Sequence, residues 1–294
     1  VVYNVFGAVF TFLVIAVLKP LGLLDFIWDK TLYSGSIANV HTLFRLGSAV
    51  VLFPFLGLID KLTQRLVPER ESKKAEPESE VKLDQNLFLS PALAVANARD
   101  AITAMGTIAR ENTALAFSLF SSYSEEGLAK VYENEGRIDR LADAVDNYLI
   151  KLSSHITTAE QNDTLNYCIQ SFSEFERVGD LAVNIAENAE DLHKKELVFS
   201  YIALNEMNVM KKAICDILDL TTTAFGGPDN EVARRIEPLE EVVDDLVAIL
   251  KTRHIERLRT GQCKTYSGLI FLDALTNIER IADQCSNLGV YTIS

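Results

Sequence analysis

The sequence predicts an all-α protein, with two transmembrane helices followed by a tandem pair of three-helix bundles. Three observations carry that prediction. Residues 1–18 (VVYNVFGAVFTFLVIAVL) contain no charged side chain, and residues 36–59 (SIANVHTLFRLGSAVVLFPFLGLI) form a second apolar stretch broken only by His41 and Arg45. Beyond residue 86 the apolar residues recur at helical spacing, and no convincing run of period-two alternation appears. The acidic motifs of one half of that region recur in the other half at a nearly constant offset.

Composition narrows the function classes. The 294 residues are 48% hydrophobic and 23% charged, which excludes wholesale disorder and leaves room for a sizeable core. Residues 1–60 are neutral, with Lys19, Lys30 and Arg45 against Asp25, Asp29 and Asp60. The remainder holds 25 basic and 38 acidic residues, which accounts for the whole net charge of −13. So acidic a chain is a poor match for a nucleic-acid backbone, and no nucleic-acid partner is expected. Four histidines argue against a His-ligated metal centre. Cys168, Cys215, Cys263 and Cys285 form no CxxC pair and read as small buried hydrophobes in a reducing compartment.

Each element has its own basis in the sequence. As a helix, residues 1–18 span about 27 Å, close to the hydrocarbon thickness of a bilayer. A signal peptide would need a basic leader and a small-residue cleavage site, and neither is present, so the chain reads as opening within a longer membrane protein. Arg45 either faces a polar cavity or sits near an interface. His41 reads as a helix-end residue at headgroup level. After the second apolar stretch come Lys61, Arg65, Arg70, Lys73 and Lys74, a basic excess that places the rest of the chain in the cytoplasm. The expected location is therefore the inner (plasma) membrane, multi-pass, with residues 67–294 cytoplasmic. Residues 1–66 read as a membrane segment. Residues 67–85 (VPERESKKAEPESEVKLDQ) are polar, contain two prolines and read as a linker. Residues 86–294 form the helical domain, with one repeat over 86–196 and a second over 197–294.

Ser90-Pro91 reads as an N-cap followed by proline at the first helical position, and opens a helix over about 91–120. Ser124 opens a second to about 154. Thr158 with Gln161 forms a capping box for a third, reaching about 193, whose apolar stripe is Leu165, Cys168, Phe172, Phe175 and Ala182. Further helices are expected at about 202–224, 230–258 and 265–292, with Gly226-Gly227-Pro228 separating the first two.

The halves match in detail. Glu176, Arg177, Asp180 and Asn184 recur as Glu279, Arg280, Asp283 and Asn287, an offset of 103 throughout. One helix earlier, Glu135 and Asp139 recur as Glu240 and Asp244, an offset of 105. Glu and Asp four residues apart lie one turn apart on the same helix face and can chelate one cation or bridge two. Asn184 and Asn287 extend that face with an amide oxygen. Packed side by side, two such helices offer four carboxylates around one site, which repel unless a cation or protons neutralise them. All-oxygen ligation suits hard cations such as Mg²⁺, Mn²⁺ and Ca²⁺, and also iron. The competing reading is a solvated acidic face with Arg177 and Arg280 as surface partners.

ERVGDLAVNIAE (176–187) and ERIADQCSNLGV (279–290) resemble the paired signature of PhoU-like domains, tandem three-helix bundles associated with phosphate homeostasis. IANVHTLFRLGSAVVLFPF (37–55) resembles the last membrane segment of the bacterial sodium/phosphate cotransporter family, many members of which carry a PhoU-like tail. That resemblance implies the C-terminal part of a sodium-dependent phosphate symporter. Sodium would be the coupling ion and inorganic phosphate the substrate, with membrane lipid and a second copy of the chain (a homodimer) as further partners. The family's Gln-Ser-rich substrate and sodium motifs are absent, so no transport residue is assigned. PhoU-like relatives hold multinuclear iron or zinc clusters through such acidic motifs. The resemblance implies a metal cluster here too, of iron, zinc, manganese or magnesium, held by Glu135, Asp139, Glu176, Asp180 and Asn184 and by Glu240, Asp244, Glu279, Asp283 and Asn287.

Three function classes compete: a secondary transporter with a regulatory tail, a membrane-tethered phosphate-signalling or metal-binding module without transport activity, and a carboxylate-bridged metal enzyme. The third typically uses Glu-x-x-His, and none of Glu135, Glu176, Glu240 and Glu279 has a histidine three residues on. No nucleophile–base arrangement is visible, and an enzyme is not expected.

Overall fold

A computed structural model describes residues 81–293 apart from 228, together with Phe12, Ala16, Val17 and residues 19–22. The chain divides into two compact units, Val1–Pro77 and Glu78–Ser294. The apolar stretches 1–18 and 36–59, His41, Arg45, the basic group from Lys61 to Lys74 and the linker up to residue 80 lie wholly or almost wholly outside the described residues. Among the described residues no helix is long and apolar enough to cross a membrane. The longest helices carry charged side chains along one face, whose burial in hydrocarbon would be costly. The expectation of a multi-pass inner-membrane protein with residues 67–294 cytoplasmic is corrected accordingly.

Among its described residues the second unit is built from six long helices: α1 Pro91–Ser118, α2 Glu125–Ser153, α3 Ala159–Lys194, α4 Tyr201–Gly226, α5 Ile236–Arg259 and α6 Thr265–Ile293. Each has a local cause in the sequence. Pro91 occupies the first turn of α1, where its missing N–H costs nothing. Ser90 makes no side-chain cap. Instead its N–H donates to the Leu87 carbonyl, closing a 3-10 turn, Gln85–Leu89, whose own cap is Asp84. That strap is tied down where the Tyr148 hydroxyl donates to the Asp84 carbonyl at 3.0 Å and Phe88 packs on Tyr148. Ser124 caps α2 by accepting from the Gly127 N–H. Thr158 caps α3 by accepting from the Gln161 N–H at 3.3 Å, and Gln161 reaches back to the Thr157 N–H at 3.2 Å, one residue earlier than an ideal capping box.

The region expected as one helix over 230–258 is two. A single turn, Asn230–Ala233, ends at Arg234–Arg235, and α5 restarts at Ile236. Pro238 explains the break: it cannot donate to the carbonyl four residues back and its ring crowds that carbonyl, so it is tolerated only in the first turn of a new helix.

Within each repeat the three helices pack on one another, α1–α2–α3 and α4–α5–α6. Across the repeats α1 meets α4 and α3 meets α6, so these four form the central layer and α2 and α5 flank it. The core runs through both repeats; Phe175, Phe225 and Phe271 are among its largest fully buried side chains. Phe175 meets Phe225 edge-on, with centroids 5.8 Å apart. In the α3 stripe, Leu165, Cys168, Phe175 and Ala182 are buried, and Phe172 packs partly buried against them. All four cysteines are free thiols.

Candidate metal centres

The two acidic clusters arise where the second and third helices of each repeat come closest. On α2, the buried positions Ile138, Ala142 and Val145 turn one stripe toward the core, which leaves Glu135 and Asp139 at its edge. On α3, Val178 and Gly179 are buried and Asp180 follows them at the edge. Gly179 permits the approach: a Cβ there would lie 3.0 Å from Ile138 Cδ1. The carboxylate oxygens of Glu135, Asp139 and Asp180 consequently fall within 4.8 Å of one another. The second repeat does the same with Glu240 and Asp244 on α5 and Asp283 on α6.

Like charges held this close raise one another's pKa. Glu135 titrates above its ordinary value, through partial burial first and then Asp139 and Asp180. Asp180 is raised by burial and Asp139. Glu176 is raised by burial, Asp139, Asp180 and Asp143, with Arg177 opposing. In the second repeat Glu240 is raised by burial, Asp244 and Asp283. Asp244 is raised by burial, Asp283 and Glu279, against Lys251, and Asp283 by burial and Glu279, against Arg280. All six shifts share one meaning: the ionised carboxylates by themselves are electrostatically unsatisfied. A harder sign is Asp244 Oδ1, which is buried and has no hydrogen-bond partner. An orphaned buried acceptor in a ring of carboxylate oxygens fits a hard cation, which supplies the missing positive charge.

The remaining sequence-predicted residues stand at the margin of these triads. Glu176 is near enough to Asp139 and Asp180 to be perturbed by them, though it is not one of the convergent three. Glu279 is held in an ion pair, accepting from Lys251 Nζ at 2.6 Å. Asn184 and Asn287 are exposed one turn further along α3 and α6. Asn184 lines a polar groove of 460 Å³ with Asn188, Asp273, Asn277 and Arg280.

Sequence reasoning missed Lys251. Its counterpart at the offset of 105 is Asp146, so aligning the repeats would have exposed a positive charge present in one half and replaced by an acid in the other. A Glu-x-x-His pair does occur, Glu190 and His193 at the end of α3, but Glu190 pairs with Lys194 at 2.6 Å and His193 stacks on Tyr123. Neither belongs to the convergent triads.

Comparison with known proteins bears on the helical unit. The sequence pattern of the PhoU domain family matches residues 102–189 and 207–292. A phosphate-specific transport system accessory protein PhoU homolog from Thermotoga maritima is 25% identical over 160 residues, covering 54% of this chain and 68% of that protein. A PhoU homolog of the same description from Methanothermobacter thermautotrophicus is 28% identical over 181 residues, covering 61% and 81%. The crystal structure of PhoU from Pseudomonas aeruginosa superposes with a TM-score of 0.65 at 18% identity, covering 70% of this chain and 97% of that one. The Streptococcus pneumoniae phosphate transport system regulatory protein PhoU gives 0.62 at 19% identity, covering 69% and 95%. The likeness of residues 37–55 to a cotransporter segment lies outside the matched pattern and gains no support from it.

Proposed function

We propose, for a chain that belongs to the PhoU domain family, that it works as an accessory module of phosphate homeostasis whose two carboxylate triads each hold a hard metal ion. The observation that carries this reading is the repeated convergence of Glu135, Asp139 and Asp180 and of Glu240, Asp244 and Asp283 within 4.8 Å. One acidic triad on a helical surface is commonplace, whereas two at matched positions of a duplicated fold have a shared cause. The symport reading depended on residues 1–66, which the family match does not reach, and it is not carried forward.

The donor chemistry narrows the metal. Every convergent atom is a carboxylate oxygen, which suits magnesium, manganese or ferrous iron better than zinc, whose preferred ligands are sulfur and nitrogen. Glu135, Asp139 and Asp180 would hold one ion, with Glu176 close enough to complete its shell. Glu240, Asp244 and Asp283 would hold the other, with Glu279 available once it leaves Lys251. Bound there, a cation supplies the charge that ties the second helix of each repeat to the third. The relatives are named as accessory proteins of phosphate-specific transport, and an accessory role of that kind, without catalysis, is the role proposed here.

The test is elemental analysis of protein purified without chelator and again after reconstitution with Mn²⁺ and Fe²⁺. About two equivalents of metal per chain, or more, are expected. Less than about a tenth of an equivalent in both preparations would overturn the reading.

A further inference from the structure

Two cavities open at corresponding places in the repeats, at the start of the third helix of each and separate from the acidic triads. The one at the head of α6 has a volume of 220 Å³ and is lined by Ser200, His254, Cys263, Lys264 and Ser267 among others. The one at the head of α3 has a volume of 370 Å³ and is lined by Arg99, Thr158, Gln161 and Thr164 among others. Thr164 and Ser267 are matched residues of the repeat, at the offset of 103.

The α6 cavity gathers donors that lack acceptors. The first turn of a helix leaves its N–H groups without intrahelical partners, and in α6 the bond from the Gly268 N–H to the Lys264 carbonyl comes only after Thr265, Tyr266 and Ser267. Ser267 is 6% exposed, lines the cavity, and its hydroxyl makes no hydrogen bond among the described residues. His254 is 2% exposed and stacked on Phe271. Its Nδ1 faces Arg257 at 3.0 Å, and Arg257 is clamped by two bonds to Glu206 at 2.9 and 2.6 Å. A guanidinium can only donate, so Nδ1 accepts and the ring proton sits on Nε2. Burial and Arg257 lower the His254 pKa, which keeps the ring neutral in that tautomer. The Nε2–H meets only the Cys263 sulfur, at 3.8 Å, and a protonated Nε2 cannot ligate a cation. Lys264 adds a positive charge. Glu196 is the one acid lining this cavity, and it is exposed.

The α3 cavity repeats the theme with different residues. The Arg99 Nε is buried without a hydrogen-bond partner, and no ion pair holds the Arg99 side chain among the described residues. It lines the cavity at the N-terminus of α3, where the Gln161 carbonyl is already taken by the Thr157 N–H, leaving the amide NH₂ to donate. Glu160 is the one acid lining this cavity, and it is exposed; a helix N-terminus with an unpaired cation and a donor amide favours negative charge there.

We propose that these cavities are a repeated pair of binding sites for a small tetrahedral oxyanion of the phosphate class, taken as the free ion. Its unprotonated oxygens accept hydrogen bonds on several sides at once, which is what Ser267 Oγ–H, His254 Nε2–H, the α6 N–H groups and Arg99 require. The sites use none of the triad carboxylates, so they stand or fall independently of the metal reading.

The experiment is calorimetric titration of inorganic phosphate into the full chain in the presence of chelator, with glycerol phosphate as a second titrant. Two saturable sites for inorganic phosphate are expected. Ser267→Ala and His254→Phe should each weaken one of them by about tenfold, the loss of a single hydrogen bond to a charged group, and Arg99→Gln should weaken the other by at least as much. Circular dichroism checks that each variant is folded; Ser267→Ala is the mildest. The double variant Asp180→Asn, Asp283→Asn should bind phosphate unchanged while losing metal. No saturable binding up to about 10 mM phosphate, or binding of the ester alone, would overturn the proposal. So would loss of binding in the Asp180→Asn, Asp283→Asn chain, and a folded cavity variant that binds like wild type overturns the assignment of its cavity.

Discussion

Asp180 and Asp283 are the residues on which both triads depend, because each is the single contribution of the third helix to a pair presented by the second. Their raised pKa values fix the sign of a substitution. A carboxyl whose folded pKa is raised contributes stability below its unfolded value, ordinarily near 3.8 for Asp and 4.5 for Glu, and that contribution is lost as pH rises through the folded value. In chelator at pH 7, Asp180→Asn should therefore stabilise the chain slightly, by a few tenths to about 1 kcal/mol for so exposed a group. With Mn²⁺ present it should destabilise, because a ligand that favours the folded state is lost. Thermal denaturation with and without metal reads both signs, and the same sign in both conditions would count against a metal at this position. At this scale the acidic pairs were legible in the sequence because helical spacing of four residues fixes a common face. Lys251 was not, because its partner Glu279 is 28 residues away and only the packing of α5 on α6 brings them together.

The elements show where packing and capping set the geometry. Gly179 and Ile138 occupy the tight crossing of α2 on α3, while the matched positions in the second repeat are Ala282 and Val243, all buried. The volume moved from one side of the crossing to the other. Gly179→Ala should cost about 1 kcal/mol by overpacking and weaken metal at the first triad, and adding Ile138→Val should recover most of both. Additive losses in the double variant, measured by denaturation, would show that the crossing does not set the site. At the end of α3, Glu196 has φ +51°, and the Leu197 N–H reaches back to the Leu192 carbonyl, a left-handed helix stop that usually calls for glycine. At the end of α5, Gly261 serves the same turn with φ +71°. Glu196→Gly should stabilise the chain by up to about 1 kcal/mol, and a lower melting temperature would contradict this. Helix positions were legible because caps and apolar periodicity are local signals. The break before Pro238 was written in the sequence too, but the apolar pattern on either side of it masked the restart.

For the whole molecule, the repeat makes two sites that differ. The first triad has Asp143 and Glu176 beside it, whereas the second has Lys251 paired to Glu279. The first should therefore bind a divalent cation more tightly, and the affinity of both should fall as pH drops toward the raised carboxyl pKa values, since protons compete for the same oxygens. Isothermal titration at pH 7 and pH 5.5 checks both statements; equal affinities, or affinity rising in acid, would contradict them. The central claim is that the duplicated carboxylates are metal sites, and its most direct test is anomalous diffraction from crystals of the chain grown with Mn²⁺. Separate anomalous peaks are predicted, one bounded by Glu135, Asp139 and Asp180 and one by Glu240, Asp244 and Asp283. Crystals of the metal-saturated chain with no peak at either triad would contradict the claim.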